Sequence, residues 1–368
     1  MKIGIPREIT PQEYRVSITP AGVQTLLDAG HHVFIERGAG QGCSLSDEDY
    51  RRAGAVCLDT AEEVYGSSEM IYKVKGPLAQ EYDLLREDQI LFCYLHLAAN
   101  QPLTEILLSR GVTSIAFETV QQPDGHLPLL EPMSEIAGKL SVQQGSRYLE
   151  KIHGGRGILL GGIPGVERGS VLIIGGGTVG INAAEIAIGM GARVSVLERD
   201  KARLQYLVAR FGSGIDTLFS TPDSLAKCIQ NADLVIGAAL IPGASTPKIV
   251  RRENLLTMKH ASVIVDVSVD QGGCCETSRP THHDNPVYQE EGIIHYCVAN
   301  MPGSVPITAT RGLSGATLPY AEKIASMGIP AAFKDPAIAH GLNVYKGAIT
   351  YRALAMSLEM PYTDITFS

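Results

Sequence analysis

The sequence predicts an α/β fold of two doubly wound parallel-sheet domains with a cleft between them. Three observations predict it. Short apolar strands alternate with helical segments along most of the chain, and that alternation favours a parallel sheet covered on both faces. Near the middle, Val171 to Gly180 reads V-L-I-I-G-G-G-T-V-G, a buried β-branched strand running into a glycine-rich turn. The length, 368 residues, suits two domains of ordinary size.

Taken in order, residues 2–5, 32–35, 70–74, 90–94 and 113–117 read as strands, and 21–29, 47–53 and 103–109 as helices, with Ser46 or Asp47 as an N-cap. Residues 134–152 read as one proline-free helix ending at Gly154-Gly155, long enough to carry the chain from one domain to the next. The central unit follows, with strands at 171–174, 192–197, 234–238, 263–267 and 293–298. Past Pro302 and Pro306 the chain reads as helical at 318–327, 336–342 and 348–358. These last helices are expected to return to the first domain. The division is therefore 1–133 plus 305–368 as a discontinuous domain, and 134–304 as the second.

In the central turn Gly175, Gly177 and Gly180 fall in the G-x-G-x-x-G pattern. The first allows the tight turn, the second lets a pyrophosphate approach the backbone, and the third lets helix and strand pack closely. The helix start presents N–H groups and a positive dipole end to phosphate. Glu198 closes the next strand, 18 residues beyond Gly180, where a dinucleotide site needs a carboxylate for the ribose hydroxyls. This part is Rossmann-like and points to a nicotinamide cofactor.

Hydrophobic content of 45% with 19% charged residues is that of an ordinary globular protein, and the net charge of −8 argues against a nucleic-acid partner. No apolar run approaches the roughly 20 residues that span a bilayer, and no signal peptide is evident. Seven cysteines, an odd number without a C-x-x-C pair, suit neither a disulfide framework nor a zinc site. Together these features predict a cytoplasmic protein.

Three places carry polar groups that a plain core does not need. His96 follows a predicted strand, and ligands of parallel sheets lie beyond the carboxyl ends of strands. Asp266 interrupts the apolar run 263–267, where burial is expensive without partners, and Asp270 follows beside Gly272 and Gly273. Arg15, in a proline- and charge-rich loop, and Lys75, at a strand end, are bases suited to a carboxylate substrate. Each also has a bland reading, as a satisfied strand-end histidine, a turn cap and solvated surface charges.

With these stretches in view the chain resembles the NAD-dependent alanine dehydrogenases nearly end to end. The resemblance rests on G-I-P-R-E-I (Gly4–Ile9), R-V-S-I-T-P (Arg15–Pro20), K-V-K (Lys73–Lys75) and Y-L-H-L (Tyr94–Leu97). It continues through L-P-L-L-E-P-M-S-E (Leu127–Glu135), D-Q-G-G-C (Asp270–Cys274), V-A-N-M-P-G (Val298–Gly303) and A-T-L-P-Y (Ala316–Tyr320). It implies reversible oxidative deamination of L-alanine to pyruvate and ammonia with NAD, by a homohexamer. By the same resemblance His96 and Asp270 would be the acid–base pair, and Arg15 and Lys75 would hold the substrate. Ser134, Thr178, Val179, Glu198, Arg203, Ser220, Ala239, Leu240, Val267, Ser268, Val269, Asp270, Arg279, Val298, Ala299, Asn300 and Met301 would line the cofactor site with the three glycines.

Some positions depart from the family pattern. Glu198 stands where many members have Asp, and Arg199 beside it leaves room for NADP, although NAD is expected. Gly76 and Gly315 replace an expected acidic residue and an expected Asn. Glu118 matches a residue near which relatives place a divalent ion, but its expected companion is Met327, a poor ligand for a hard cation, so no essential metal is expected. The wider family includes the NAD(H)-binding part of proton-translocating transhydrogenase, the alternative reading. A non-catalytic NAD-binding sensor is a third, disfavoured because His96, Asp270, Arg15 and Lys75 are all present.

Overall fold

The computed structural model describes residues 1–239 and 246–365. Along the chain the strands are β1 (Lys2–Ile5), β2 (His32–Glu36), β3 (Val56–Leu58), β4 (Met70–Lys75), β5 (Ile90–Tyr94), β6 (Thr113–Ala116), β7 (Ser170–Ile174) and β8 (Arg193–Glu198). Then come β9 (Asp216–Phe219), β10 (Leu234–Gly237), β11 (Val263–Asp266), β12 (Val287–Glu290), β13 (Ile293–Tyr296), β14 (Leu342–Tyr345) and β15 (Ala348–Ile349). They form two sheets, in two compact units: Met1–Met133 with Gly303–Ser368, and Ser134–Pro302.

In the first unit the order is β15-β14-β6-β5-β4-β1-β2-β3. The strands β1 to β6 are parallel, whereas β14 and β15 add an antiparallel edge. Ile71, Leu91, Cys93 and Ala116 of these strands pack against Leu103, Leu107 and Leu354 of the flanking helices. The helix Pro306–Met327 packs on the same unit, where Thr310 accepts from the Val16 N–H and Ser314 from the Thr19 N–H. The second unit has the order β12-β13-β11-β10-β7-β8-β9, parallel except for β12. Beside the central strand β10, β7 buries Val171–Ile174, as its apolar, β-branched run requires.

The returning C-terminal segment differs most from expectation. The helix read at 348–358 is instead β15, a turn and a shorter helix Arg352–Leu358. The helix read at 336–342 stops at Gly341, because Leu342 enters β14. The helix read at 318–327 begins at Pro306 and contains Pro319, a residue that usually ends a helix. The long helix runs Glu131–Tyr148 rather than 134–152. The short strands β3, β9 and β12, three or four residues long and partly exposed, carry too little periodicity to read. Among the described residues no helix is long and apolar enough to cross a membrane, and all seven cysteines are free.

Candidate active site

In the first unit the site residues gather where β4 and β5 end. Lys75 and Tyr94 are register partners across these strands, after an irregularity between Tyr72 and Lys75. His96 lies two residues past β5 with φ +48° and ψ +42°, the left-handed region. Its imidazole is stacked on Tyr94, with centroids 6.1 Å apart and 13° between planes, and the Tyr94 hydroxyl donates to the Leu129 carbonyl at 2.5 Å. The backbone here is held by carboxylates. Glu118 Oε1 accepts from the His96 N–H at 2.6 Å, and both its oxygens lie 3.3 Å from the Leu95 nitrogen. On the neighbouring strand Glu8 Oε1 accepts from the Val74 and Lys75 N–H groups, at 2.5 and 3.3 Å.

Arg15 is not a surface base. Its guanidinium is buried, with Nε and Nη2 donating to the two oxygens of Glu13 at 2.7 and 2.5 Å and Nη1 against Met133 Sδ at 3.1 Å. Burial pushes its pKa down, but the hydrogen bonds and charge of Glu13 outweigh this and hold it above its ordinary value. Beneath lies a second buried group of charges. Lys73 Nζ donates to Glu81 Oε1 at 2.6 Å and stands 3.9 Å from Glu8 Oε2, and Glu81 also accepts from the Tyr65 hydroxyl and the Leu78 N–H. Burial lifts the Glu8 carboxyl to about 7, against the opposing pull of Lys73. Sequence patterns do not single out Glu8, Glu13, Lys73 and Glu81 as site residues, and the family resemblance marks Glu118 only as a position near a divalent ion in relatives. The usable signal was Lys73, an ionisable group inside an apolar strand, which demands buried carboxylates nearby.

In the second unit the glycine-rich turn follows β7. A Cβ on Gly180 would stand 1.9 Å from the Gly175 carbonyl oxygen, so the helix start rests directly on the turn. Gly175 has φ +109° and lies against Ala238. Around Gly177 a Cβ would meet nothing within 4 Å, leaving open space in front of the helix Thr178–Gly189. Gly177 caps that helix without a side-chain hydrogen bond, so its first N–H groups face an anion's place. Glu198 Oε2 accepts from the Gly176 N–H at 2.6 Å, its Oε1 from the Arg199 and Asp200 N–H groups at 2.5 and 3.0 Å, and its carbonyl from the Ser220 N–H at 2.9 Å. The side chain of Arg203 borders the same turn at Gly176. The residues present fit a dinucleotide: an open glycine, undecorated helix N–H groups and an oriented carboxylate.

Beyond β11 the chain forms the tight helical turn Val267–Gln271, so Asp270 sits on a turn rather than a strand and is exposed. Asp266 beneath it is fully buried and has the partners its burial demands: the Ser268 and Cys275 N–H groups at 3.1 and 3.0 Å and the Ser278 hydroxyl at 2.6 Å. Ser268 donates to the Ala239 carbonyl at 2.5 Å, tying this turn to the end of β10 beside Gly175. Val267 is half-buried and Val269 buried. Ser134 is one turn ahead of Gly138, where a Cβ would meet the Val179 carbonyl oxygen at 2.3 Å. Val298, Ala299, Asn300 and Met301 lie past β13, Asn300 with φ +61°. Arg279 instead stacks over the Tyr288 ring at 4.0 Å on the sheet's antiparallel edge. Leu240 lies outside the described residues.

Two family models match: the alanine dehydrogenase/PNT N-terminal domain over residues 4–137 and the C-terminal domain over 141–352. The chain belongs to the alanine dehydrogenase/PNT family. Within the family, the chain is 53% identical over 365 residues to an alanine dehydrogenase of Methanococcus maripaludis, covering 99% of this chain and 98% of that one. An alanine dehydrogenase of Geobacillus stearothermophilus is 50% identical over 367 residues, with the same shares covered. A solved L-alanine dehydrogenase superposes with a TM-score of 0.94 at 50% identity, covering 98% of this chain and 99% of that one. A transhydrogenase from Sinorhizobium meliloti superposes at 0.80 but is 24% identical over 96% of this chain, a likeness of fold. The family and its Rossmann-like fold imply a nicotinamide cofactor.

Proposed function

We propose that this chain is an L-alanine dehydrogenase catalysing the reversible NAD-dependent oxidative deamination of L-alanine to pyruvate and ammonia. The observation that carries this reading is full-length identity of about one half to several alanine dehydrogenases, against 24% for the transhydrogenase likeness. The unit holding Arg15, Lys75 and His96 would bind substrate, and the unit holding Gly175–Gly180 would bind cofactor.

A bound nicotinamide would accept the hydride leaving the alanine Cα. The protein's part is binding and proton handling. Glu13 holds the Nε and Nη2 side of Arg15, whose other Nη N–H groups would hold the substrate carboxylate. Lys75 stabilises charge developing on the substrate oxygen. Asp270 orients the water that adds to the iminium carbon, and His96 takes the proton of the resulting hydroxyl as the C–N bond of the protonated amine breaks and ammonia leaves. Thr178, Val179 and the three glycines would hold the pyrophosphate. Glu198 would accept from the ribose hydroxyls and disfavour a 2′-phosphate, which supports NAD over NADP. A cytoplasmic homohexamer is proposed by the same family likeness; sedimentation of the purified protein tests the assembly.

The test is NADH absorbance on mixing the protein with L-alanine and NAD⁺. Turnover is expected, at least tenfold weaker with NADP⁺ at equal concentration, and its absence with alanine refutes the reading. His96→Ala is expected to lower turnover about 10²–10⁴-fold, the usual contribution of an acid–base group. A loss under tenfold removes His96 from its role.

A further inference from the structure

Resting on the reading of His96 as the proton-handling group, we propose that Glu118 is its positioning residue. Glu118 belongs to the helical turn Phe117–Thr119 that follows β6, the strand beside β5. From there its carboxylate reaches back to the two peptide N–H groups that leave the β5 ladder, those of Leu95 and His96. A charged acceptor at 2.6 Å makes a strong bond to the His96 N–H. That bond fixes the residue in the left-handed region, a conformation a side chain with a Cβ seldom adopts unaided.

This conformation sets the direction of the imidazole. With φ at +48° the ring lies nearly parallel to Tyr94, itself anchored on the Leu129 carbonyl. Returning His96 to an ordinary right-handed or extended backbone would swing its Cβ away from that ring. Glu118 touches the peptide of His96 and acts through it. The neighbouring strand repeats the device independently, since Glu8 accepts from the N–H groups of Val74 and Lys75. In both cases a carboxylate from another segment grips the last two peptides before a residue assigned to the substrate.

A double-mutant cycle tests this in the full-length enzyme, with NADH formation from L-alanine as the assay. Glu118→Ala is expected to lower kcat on the order of 10²-fold, the cost of an ångström-scale misplacement, with KM for NAD⁺ changed less than about twofold. Glu118→Gln keeps one acceptor oxygen for the His96 N–H and is expected to recover about tenfold of that loss. In a His96→Ala background, Glu118→Ala is expected to add less than about threefold, because its effect passes through the imidazole. If the full loss recurs in that background, or Glu118→Ala costs under about threefold in the otherwise intact enzyme, the positioning role is overturned while that of His96 stands. If His96→Ala itself stays within about tenfold of the parent, the underlying reading of His96 falls and the proposal with it. Should Glu118→Ala show no cooperative melting transition, Glu118→Gln carries the same cycle with the same criteria.

Discussion

Glu8→Gln is expected to remove a pH dependence from the stability of the fold. Glu8 is fully enclosed, and its Oε2 has no hydrogen-bond donor, facing Lys73 at 3.9 Å. Burial raises its carboxyl from an ordinary 4.5 to about 7. Between those values the folded chain binds a proton that the unfolded chain has released, so stability falls as pH rises. The contribution is whole below pH 4.5 and is lost as pH passes through about 7. A shift of this size at 1.36 kcal/mol per unit is worth about 3 kcal/mol. Glutamine cannot ionise, so the variant lacks this contribution. Denaturant midpoints of both proteins across pH 4.5 to 8.5 give the difference in stability at each pH. Parent minus variant is expected to decline by about 3 kcal/mol on raising pH over that window and then to level off. A difference that stays flat or rises with pH refutes the assignment of a raised pKa to Glu8.

Lys73→Met leaves Glu8 and Glu81 buried without their shared cation and is expected to cost about 3–5 kcal/mol, read by denaturant unfolding near neutral pH. Gly180→Ala puts a methyl 1.9 Å from the Gly175 carbonyl, so the turn must move; KM for NAD⁺ is expected to rise at least about tenfold. Asp266→Ala strips the acceptor from the Ser268 and Cys275 N–H groups and the Ser278 hydroxyl, and a loss of about 3 kcal/mol or more is expected by thermal or denaturant melting.

Much of this architecture was legible because apolar runs and glycine placement report directly on strands and turns. The strand before Gly175, the burial of Asp266 and the break after Tyr94 all follow from local patterns. What stayed hidden is set by contacts between distant segments. Arg15 reads as a loop cation, and only the fold buries it against Glu13 and Met133. Gly312 and Gly315 hide the first half of the helix Pro306–Met327, whose Thr310, Ser314 and Thr317 bond to Val16, Thr19 and Tyr72 of the same unit. The exposed edge strands have no apolar alternation to reveal them, and β14, with β15 paired to its outer side, joins β6 across more than two hundred residues.

The carboxylates at the ends of β4 and β5 show how such hidden contacts matter to function. A parallel sheet stops hydrogen-bonding where its strands splay, and that edge is where ligands meet the protein. The peptides there must either bind water or be gripped by something specific. In this chain Glu8 and Glu118 grip them, and neither residue is adjacent in sequence to the peptide it holds. The arrangement costs stability at Glu8, whose burial lifts its pKa, and it requires an uncommon backbone at His96. A core chosen for stability alone has no need of either. Their presence side by side at one sheet edge, beneath Lys75 and His96, is the pattern expected when geometry at that edge is held against its own energetic preference.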